Sequence, residues 1–271
     1  MRGMIQIFLI LLLLCSFSIA TACSIVYYVD PDTGKIYVVN NEDFWYDTDA
    51  YIQIEPETKN KLARLWYGWN NFGQGGINSA GLFFDVAVTP NQKVPKGYKL
   101  PKGNITDRIL ANCRTVDEVI AYMEKEKMAL NQSHMLIGDA QGNAIIVEWI
   151  DGEKHIIKKE GNSLIATNYL LLKPEAGNYP CSRYASIEER IKEMESSGNP
   201  ISLPSMATVV TQAYQTPRTL DNGKTLGTLY TSFIDISEMK MVFLPKLDGE
   251  KVMQFDLNEE FKNPRKIELF K

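Results

Sequence analysis

Histidine and cysteine are scarce in this chain: its 271 residues hold two of the first and four of the second. Four cysteines are too few for a disulfide scaffold. No H-E-x-x-H or C-x-x-C spacing occurs to mark a metal site, so neither metal nor cofactor is expected. Basic runs are absent too. With 29 Lys and Arg against 33 Asp and Glu, the formal net charge is −4. An acidic chain without a basic patch argues against nucleic-acid binding. No repeat, low-complexity tract or interdomain linker interrupts the sequence.

What is present begins at the N-terminus. Arg2 precedes an apolar run over 5–19, and Ala20 and Ala22 complete an A-x-A pattern. That combination reads as a secretory signal peptide over 1–22. Cleavage after Ala22 leaves 249 residues as a single domain over 23–271, with net charge −5 once Arg2 is lost. The expected location is secreted or periplasmic, with no membrane span after processing. Cys23 then opens the mature chain, placing a thiol and a free α-amine on one residue, a nucleophile beside its own base. Three other readings compete. An uncleaved anchor fits poorly, because the apolar run is short for a span. Lipid attachment at Cys23 usually wants a large aliphatic residue three places earlier, where Ala20 stands. A buried, inert cysteine is the third.

Residues 24–29 are β-branched and aromatic, 30–34 (Asp-Pro-Asp-Thr-Gly) read as a turn, and 36–39 as a second strand. The mature chain therefore opens with a hairpin, ended by Asn40-Asn41-Glu42-Asp43, which brings Asp43 back toward Cys23. Strand-like runs follow at 51–54, 65–69 and 81–88, with the glycines of 73–76 read as a tight turn. Residues 107–126 read as one helix, with Thr115 and Glu118 as a capping box. Four strand runs between 135 and 167 precede a helix over 183–196 and a third over 206–214. Strands near 228–234, 240–244 and 252–256 close the chain. Helices grouped between runs of strands favour a layered α+β fold.

Several segments together carry a family resemblance. They are the mature Cys23, the Asn-Asn-Glu-Asp run, Gly76–Leu82 (GINSAGL), Ser133–Asp139 (SHMLIGD), Gly142–Glu148 (GNAIIVE), Ala166-Thr167-Asn168 and Pro180–Tyr184 (PCSRY). In this order the series resembles the choloylglycine hydrolase and penicillin V acylase group, the linear amide C–N hydrolases, over essentially the whole mature chain. The resemblance implies an N-terminal-nucleophile fold, a four-layer αββα sandwich with two antiparallel sheets. It implies Cys23 as nucleophile with its α-amine as proton shuttle. Asp43 would orient the amine, Asn168 would donate to the oxyanion, and Arg183 would sit near the thiol. The implied activity is hydrolysis of an N-acyl small molecule through a thioester. Two departures stand out. Asn40 occupies the place where the family often has arginine, and Asn168 and Arg183 lie close in sequence, without the long hairpin of bile-salt-type tetramers.

The chemistry of the residues is compatible with these roles. A free thiol has a pKa of about 8.5 and an α-amine about 7.7–8.0, so the amine suits a general base. Each residue also has a plainer reading. Asp43 is a turn cap, Asn168 a strand-end residue, and Arg183 a partner for a carboxylate such as Glu188. With Cys23 as the working thiol, Cys113 and Cys181 are left either to pair in an oxidising compartment or to stay free, and the sequence does not choose. Two functional rivals also stand: a papain-like thiol hydrolase using His134 or His155, and a non-catalytic, lipid-anchored surface or binding protein on the same fold. Asp85, inside the apolar run Leu82-Phe83-Phe84, has no assigned role.

Overall fold

The computed structural model describes residues 23–270; the expected cleavage after Ala22 and the segment before it lie outside them. Strand β1 (Ser24–Val29) turns through 30–35 into β2 (Ile36–Trp45). The turn is held by Asp30, whose carboxylate accepts from the Asp32 amide and the Thr33 hydroxyl. Then come β3 (Ala50–Glu55), β4 (Arg64–Trp69), β5 (Phe72–Asn78) and β6 (Phe83–Val88), followed by α1 (Ile105–Asn112) and α2 (Val116–Glu126). Next are β7 (Ser133–Gly138), β8 (Ala144–Ile150), β9 (Glu153–Lys158) and β10 (Ser163–Ala166), then α3 (Ser182–Ser196) and α4 (Leu203–Val209). The chain ends with β11 (Arg218–Thr219), β12 (Thr225–Asp235), β13 (Lys240–Pro245), β14 (Met253–Asp256), α5 (Leu257–Glu260) and β15 (Arg265–Glu268).

The strands form two antiparallel sheets. One has the order β10-β1-β2-β12-β13-β14, with β11 on β12; the other runs β15-β3-β4-β5-β6-β7-β8-β9. Ile25, Tyr27, Ile36 and Val38 of the first sheet face Ile52, Leu65, Ile77, Phe83 and Leu136 of the second across a shared core. Val26, Tyr28 and Val39 face outward, under Ile187 and Ile191 of α3 and Met206 and Val209 of α4. On the far side α1 and α2 cover Phe84, Met135, Ile137 and Val147. Both sheets are covered on both faces, so β1 reads as a continuous apolar run without alternation. The layering is αββα, as the resemblance implies.

Tyr27 ties the sheets together at one end. Its hydroxyl donates to the Asp139 carbonyl at 2.6 Å, and its ring lies where a Cβ on Gly138 would fall, 2.2 Å from Cε2.

Several local expectations are corrected. β2 does not end at Val39 but runs through Asn40-Asn41-Glu42-Asp43, because β12 supplies backbone partners along that stretch. The glycines of 73–76 lie in β5 rather than in a turn. A Cβ on Gly75 would meet Asp85 Oδ2 at 2.1 Å, and one on Gly76 the Leu65 carbonyl at 2.2 Å. Glycine is there for close approach between strands, not for chain reversal. The long helix over 107–126 is two helices. Thr115 accepts from the Glu118 amide and starts α2, so the cap marks a break inside the expected segment. The third helix begins earlier, at a Ser202–Ser205 capping box, and ends at Val209.

The Cys113–Cys181 bond is not formed. Cys113 is buried under the α1–α2 layer and Cys181 caps α3 on the opposite outer layer, and both thiols are free.

Candidate active site

The polar residues of β2 alternate across the first sheet. Asn40 and Glu42 share the inner face with Val38, while Asn41 and Asp43 share the outer face with Val39. Asn41 accepts from the Thr231 hydroxyl and donates to the Val210 carbonyl.

Cys23 stands one residue before β1. Ser24 pairs with Asn41, so continuing the ladder places Glu42 opposite Cys23. On its other side Ile25 pairs with Ala166, and the same continuation places Asn168 opposite Cys23. Glu42, Cys23 and Asn168 therefore form a row across three neighbouring strands.

The thiol points into the space between the sheets and lies 2.7 Å from Glu42 Oε1. Cys23 is 2% exposed, and its pKa is raised well above the ordinary thiol value. Burial is the main cause, followed by the Glu42 and Asp43 carboxyls, with the Asp43 backbone N–H opposing them. Beyond Glu42 lies Asp85 of β6. Its Oδ1 accepts from the Val86 amide and its Oδ2 from the Tyr67 hydroxyl, both at 2.7 Å. Ser232 Oγ donates to the Tyr67 oxygen at 3.2 Å. Burial raises the pKa of Glu42 and of Asp85 well above the carboxylate range, and the Asp85 charge pushes Glu42 further. Both Asn40 amide atoms, Glu42 Oε2 and the Tyr230 hydroxyl are buried without a hydrogen-bond partner. Unpartnered buried polar atoms are uncommon in a core, and here they gather around one thiol.

On the outer face Arg183, from the first turn of α3, reaches in. Its Nη1 donates to the Cys23 carbonyl and to Ser24 Oγ (2.9 Å), and its Nη2 donates to Asn168 Oδ1 at 2.9 Å. That last bond fixes the Asn168 amide so that Nδ2 faces Val88, whose carbonyl accepts one of its hydrogens at 2.9 Å. Asp43 is 1% exposed. Its Oδ1 accepts from the Thr228 hydroxyl at 2.6 Å, while Oδ2 is buried without a partner. Burial lifts its pKa to about 7, against the lowering effects of Thr228 and Arg183.

Of the four expected residues, direct hydrogen bonds join Cys23, Asn168 and Arg183. Asp43 stands beside them without a side-chain bond to any of the three. Glu42 and Asp85 were missed. Counting pairs outward from the 30–35 turn would have placed Glu42 opposite Cys23, whereas nothing local in the sequence announces Asp85 as its neighbour.

Neither histidine is hydrogen-bonded to a thiol among the described residues. His134 is buried, with Nδ1 3.0 Å from Glu148 Oε1, and Glu148 in turn accepts from the Leu171 and Leu172 amides. No cluster of three His, Cys, Asp or Glu side chains is placed to hold a metal among the described residues.

A family model described as acyl-coenzyme A:6-aminopenicillanic acid acyl-transferase matches residues 29–245. The chain belongs to this acyl-transferase family. Among solved structures it is similar to a penicillin V acylase from Agrobacterium tumefaciens, at 18% identity and TM-score 0.66, covering 88% of this chain and 87% of that one. A variant of conjugated bile acid hydrolase from Clostridium perfringens matches at 15% identity and TM-score 0.72, covering 90% and 96%. A second variant of that hydrolase gives 14% and 0.67 over the same shares. No curated protein matches significantly. These similarities carry the choloylglycine hydrolase and penicillin V acylase resemblance and the N-terminal-nucleophile sandwich. The likeness of this acyl-transferase family member to the penicillin V acylase and the bile acid hydrolase is one of fold.

Proposed function

We propose that the protein is an exported N-terminal-cysteine amidohydrolase that cleaves the linear amide of an N-acyl small molecule through a thioester. One observation carries the reading: Arg183 binds the backbone carbonyl of Cys23 and the side chain of Asn168 at once. Nucleophile and oxyanion donor are thereby held in one frame. Cleavage after Ala22 frees the α-amine, which takes the thiol proton as sulfur attacks the acyl carbonyl. The second Nδ2 hydrogen of Asn168 donates to the developing oxyanion, a contribution of about 3–4 kcal/mol for one such donor. The α-ammonium protonates the leaving nitrogen, and water, deprotonated by the amine, clears the thioester. Asp43 supplies a reason for the amine to stay in place. Its bare, buried Oδ2 is an acceptor for the ammonium, and pairing there would lower its raised pKa.

The test is a side-by-side screen of the exported protein and Cys23→Ala on N-acyl amino acids, conjugated bile acids, penicillin V and acyl amines. Turnover by wild type alone is expected; equal turnover by both proteins sinks the assignment. The second reading, a lipid-anchored binding protein, is separated by intact mass, since acyl chains on Cys23 block both reacting groups.

A further inference from the structure

The nucleophile sits in an acidic pocket, although a cation would be the ordinary means of stabilising a thiolate. The titratable groups around Glu42 are Cys23 from β1, Asp43 from its own strand, Asp85 from β6 and Tyr230 from β12, with Tyr67 from β4 bonded to Asp85 behind them. None is basic. Arg183, the cation at the site, is spent on carbonyl and amide oxygens and on Ser24 Oγ. Two buried carboxyls this close cannot both carry charge. Of the two, Asp85 is the better suited to carry charge, since each of its oxygens accepts a hydrogen bond that opposes the rise burial imposes on its pKa. Glu42 is less well held: one oxygen lies 2.7 Å from the thiol and the other makes no hydrogen bond of good geometry, with the Asn40 amide beside the carboxyl.

We propose that Glu42 remains protonated beside the Cys23 sulfur and donates a hydrogen bond to it whenever the sulfur is anionic. Asp85 acts through Glu42 as a positioning residue that keeps the proton there. The proposal rests on Cys23 being the nucleophile. In acylation the S–H bond breaks and its proton passes to the α-amine, then to the leaving nitrogen as the S–C bond forms and the C–N bond breaks. In deacylation water gives its proton to the amine, the hydroxide oxygen bonds the acyl carbon, and the sulfur leaves and recovers that proton. Glu42 keeps its own proton throughout, donating its hydrogen bond before attack and after expulsion. A neutral acid thus works beside the α-ammonium where a second cation would be expected, and the direction of the Glu42 pKa, raised by burial and by Asp85, is the one this role needs.

The experiment is peptide-resolved alkylation of Cys23 by iodoacetamide as a function of pH, on the exported protein. It needs no substrate, so it stands even if the hydrolase screen fails. Wild type should gain reactivity with pH and then lose it as Glu42 ionises. Glu42→Gln, whose amide N–H still donates but cannot ionise, should keep the neutral rate and lose the alkaline fall. Glu42→Ala should react about 10- to 100-fold more slowly at neutral pH, the range for a hydrogen bond to a charged group. Asp85→Asn, with Glu42 intact, should move the alkaline fall to lower pH. The proposal is overturned if Glu42→Gln shows the wild-type fall, if Glu42→Ala reacts as fast as wild type, or if Cys23 is not labelled in the folded wild type.

Discussion

Asp43 allows a quantitative test of how its site depends on the Cys23 amine. In a chain where Cys23 is still preceded by another residue, Asp43 Oδ2 is buried without a partner and its pKa stands at about 7 rather than 3.8. Between those values the folded state holds a proton that the unfolded state has released. The Asp43 contribution to stability must therefore fall as pH rises from about 4 to about 7, and level off above. At about 1.4 kcal/mol per pH unit, the loss is about 4 kcal/mol. Asp43→Asn removes the titration while its carbonyl oxygen still accepts from Thr228. In the uncleaved chain the variant should match wild type near pH 4 and exceed it at pH 8 by up to about 4 kcal/mol. With the α-amine freed and paired to the carboxylate as proposed, the advantage should shrink or reverse. Urea denaturation of all four proteins at pH 4, 6 and 8 measures this. Glu42 and Asp85 titrate in every one of them, so the difference between Asp43 and Asn is what isolates the effect. An identical pH slope for variant and wild type in the uncleaved chain would refute the reasoning.

Three further outcomes follow from the geometry. Gly75→Ala puts a methyl 2.1 Å from Asp85 Oδ2 and 2.9 Å from the Tyr67 ring; it should lower stability by about 1–3 kcal/mol, seen as a lower urea midpoint at unchanged slope. Asn168→Ala should cut kcat about 100- to 1000-fold with little change in KM on whichever substrate the screen yields; a loss confined to KM would assign Asn168 to ground-state binding. Glu148→Gln replaces an acceptor of the Leu171 and Leu172 amides, and hydrogen exchange at those two positions should speed up about tenfold or more. Uniform exchange increases across the second sheet would instead show a global effect.

Much of the architecture is legible in the sequence, because strands buried on both faces are rich in β-branched and aromatic residues wherever they occur. β1 and β4 are read almost to the residue for that reason, and β6 to within two. Reading failed where a residue type carries its less common meaning. Four consecutive polar residues at 40–43 look like the end of a strand, yet they lie within one because each face of β2 has its own polar partners. Glycines at 73–76 look like a turn, yet they admit Asp85 and the backbone of β4. Cys23, Asn168 and Arg183 were reached through motif order, and their contacts are direct. Glu42 was passed over in favour of its neighbour Asp43, since choosing between adjacent acids needs the pairing of the hairpin. Asp85 is tied to the thiol only through the meeting of two sheets, which no local pattern records.

The row Glu42–Cys23–Asn168 has a bearing on how such a site survives change. Distance along the chain is irrelevant to it; parity is what counts. Two extra residues in the 30–35 turn would leave an inward-facing side chain beside the sulfur. A single extra residue would swing the adjacent, outward-facing position into its place unless a bulge absorbed it. The residue that flanks the sulfur in a related chain is therefore found by counting pairs from the hairpin tip, not by aligning an acid to an acid.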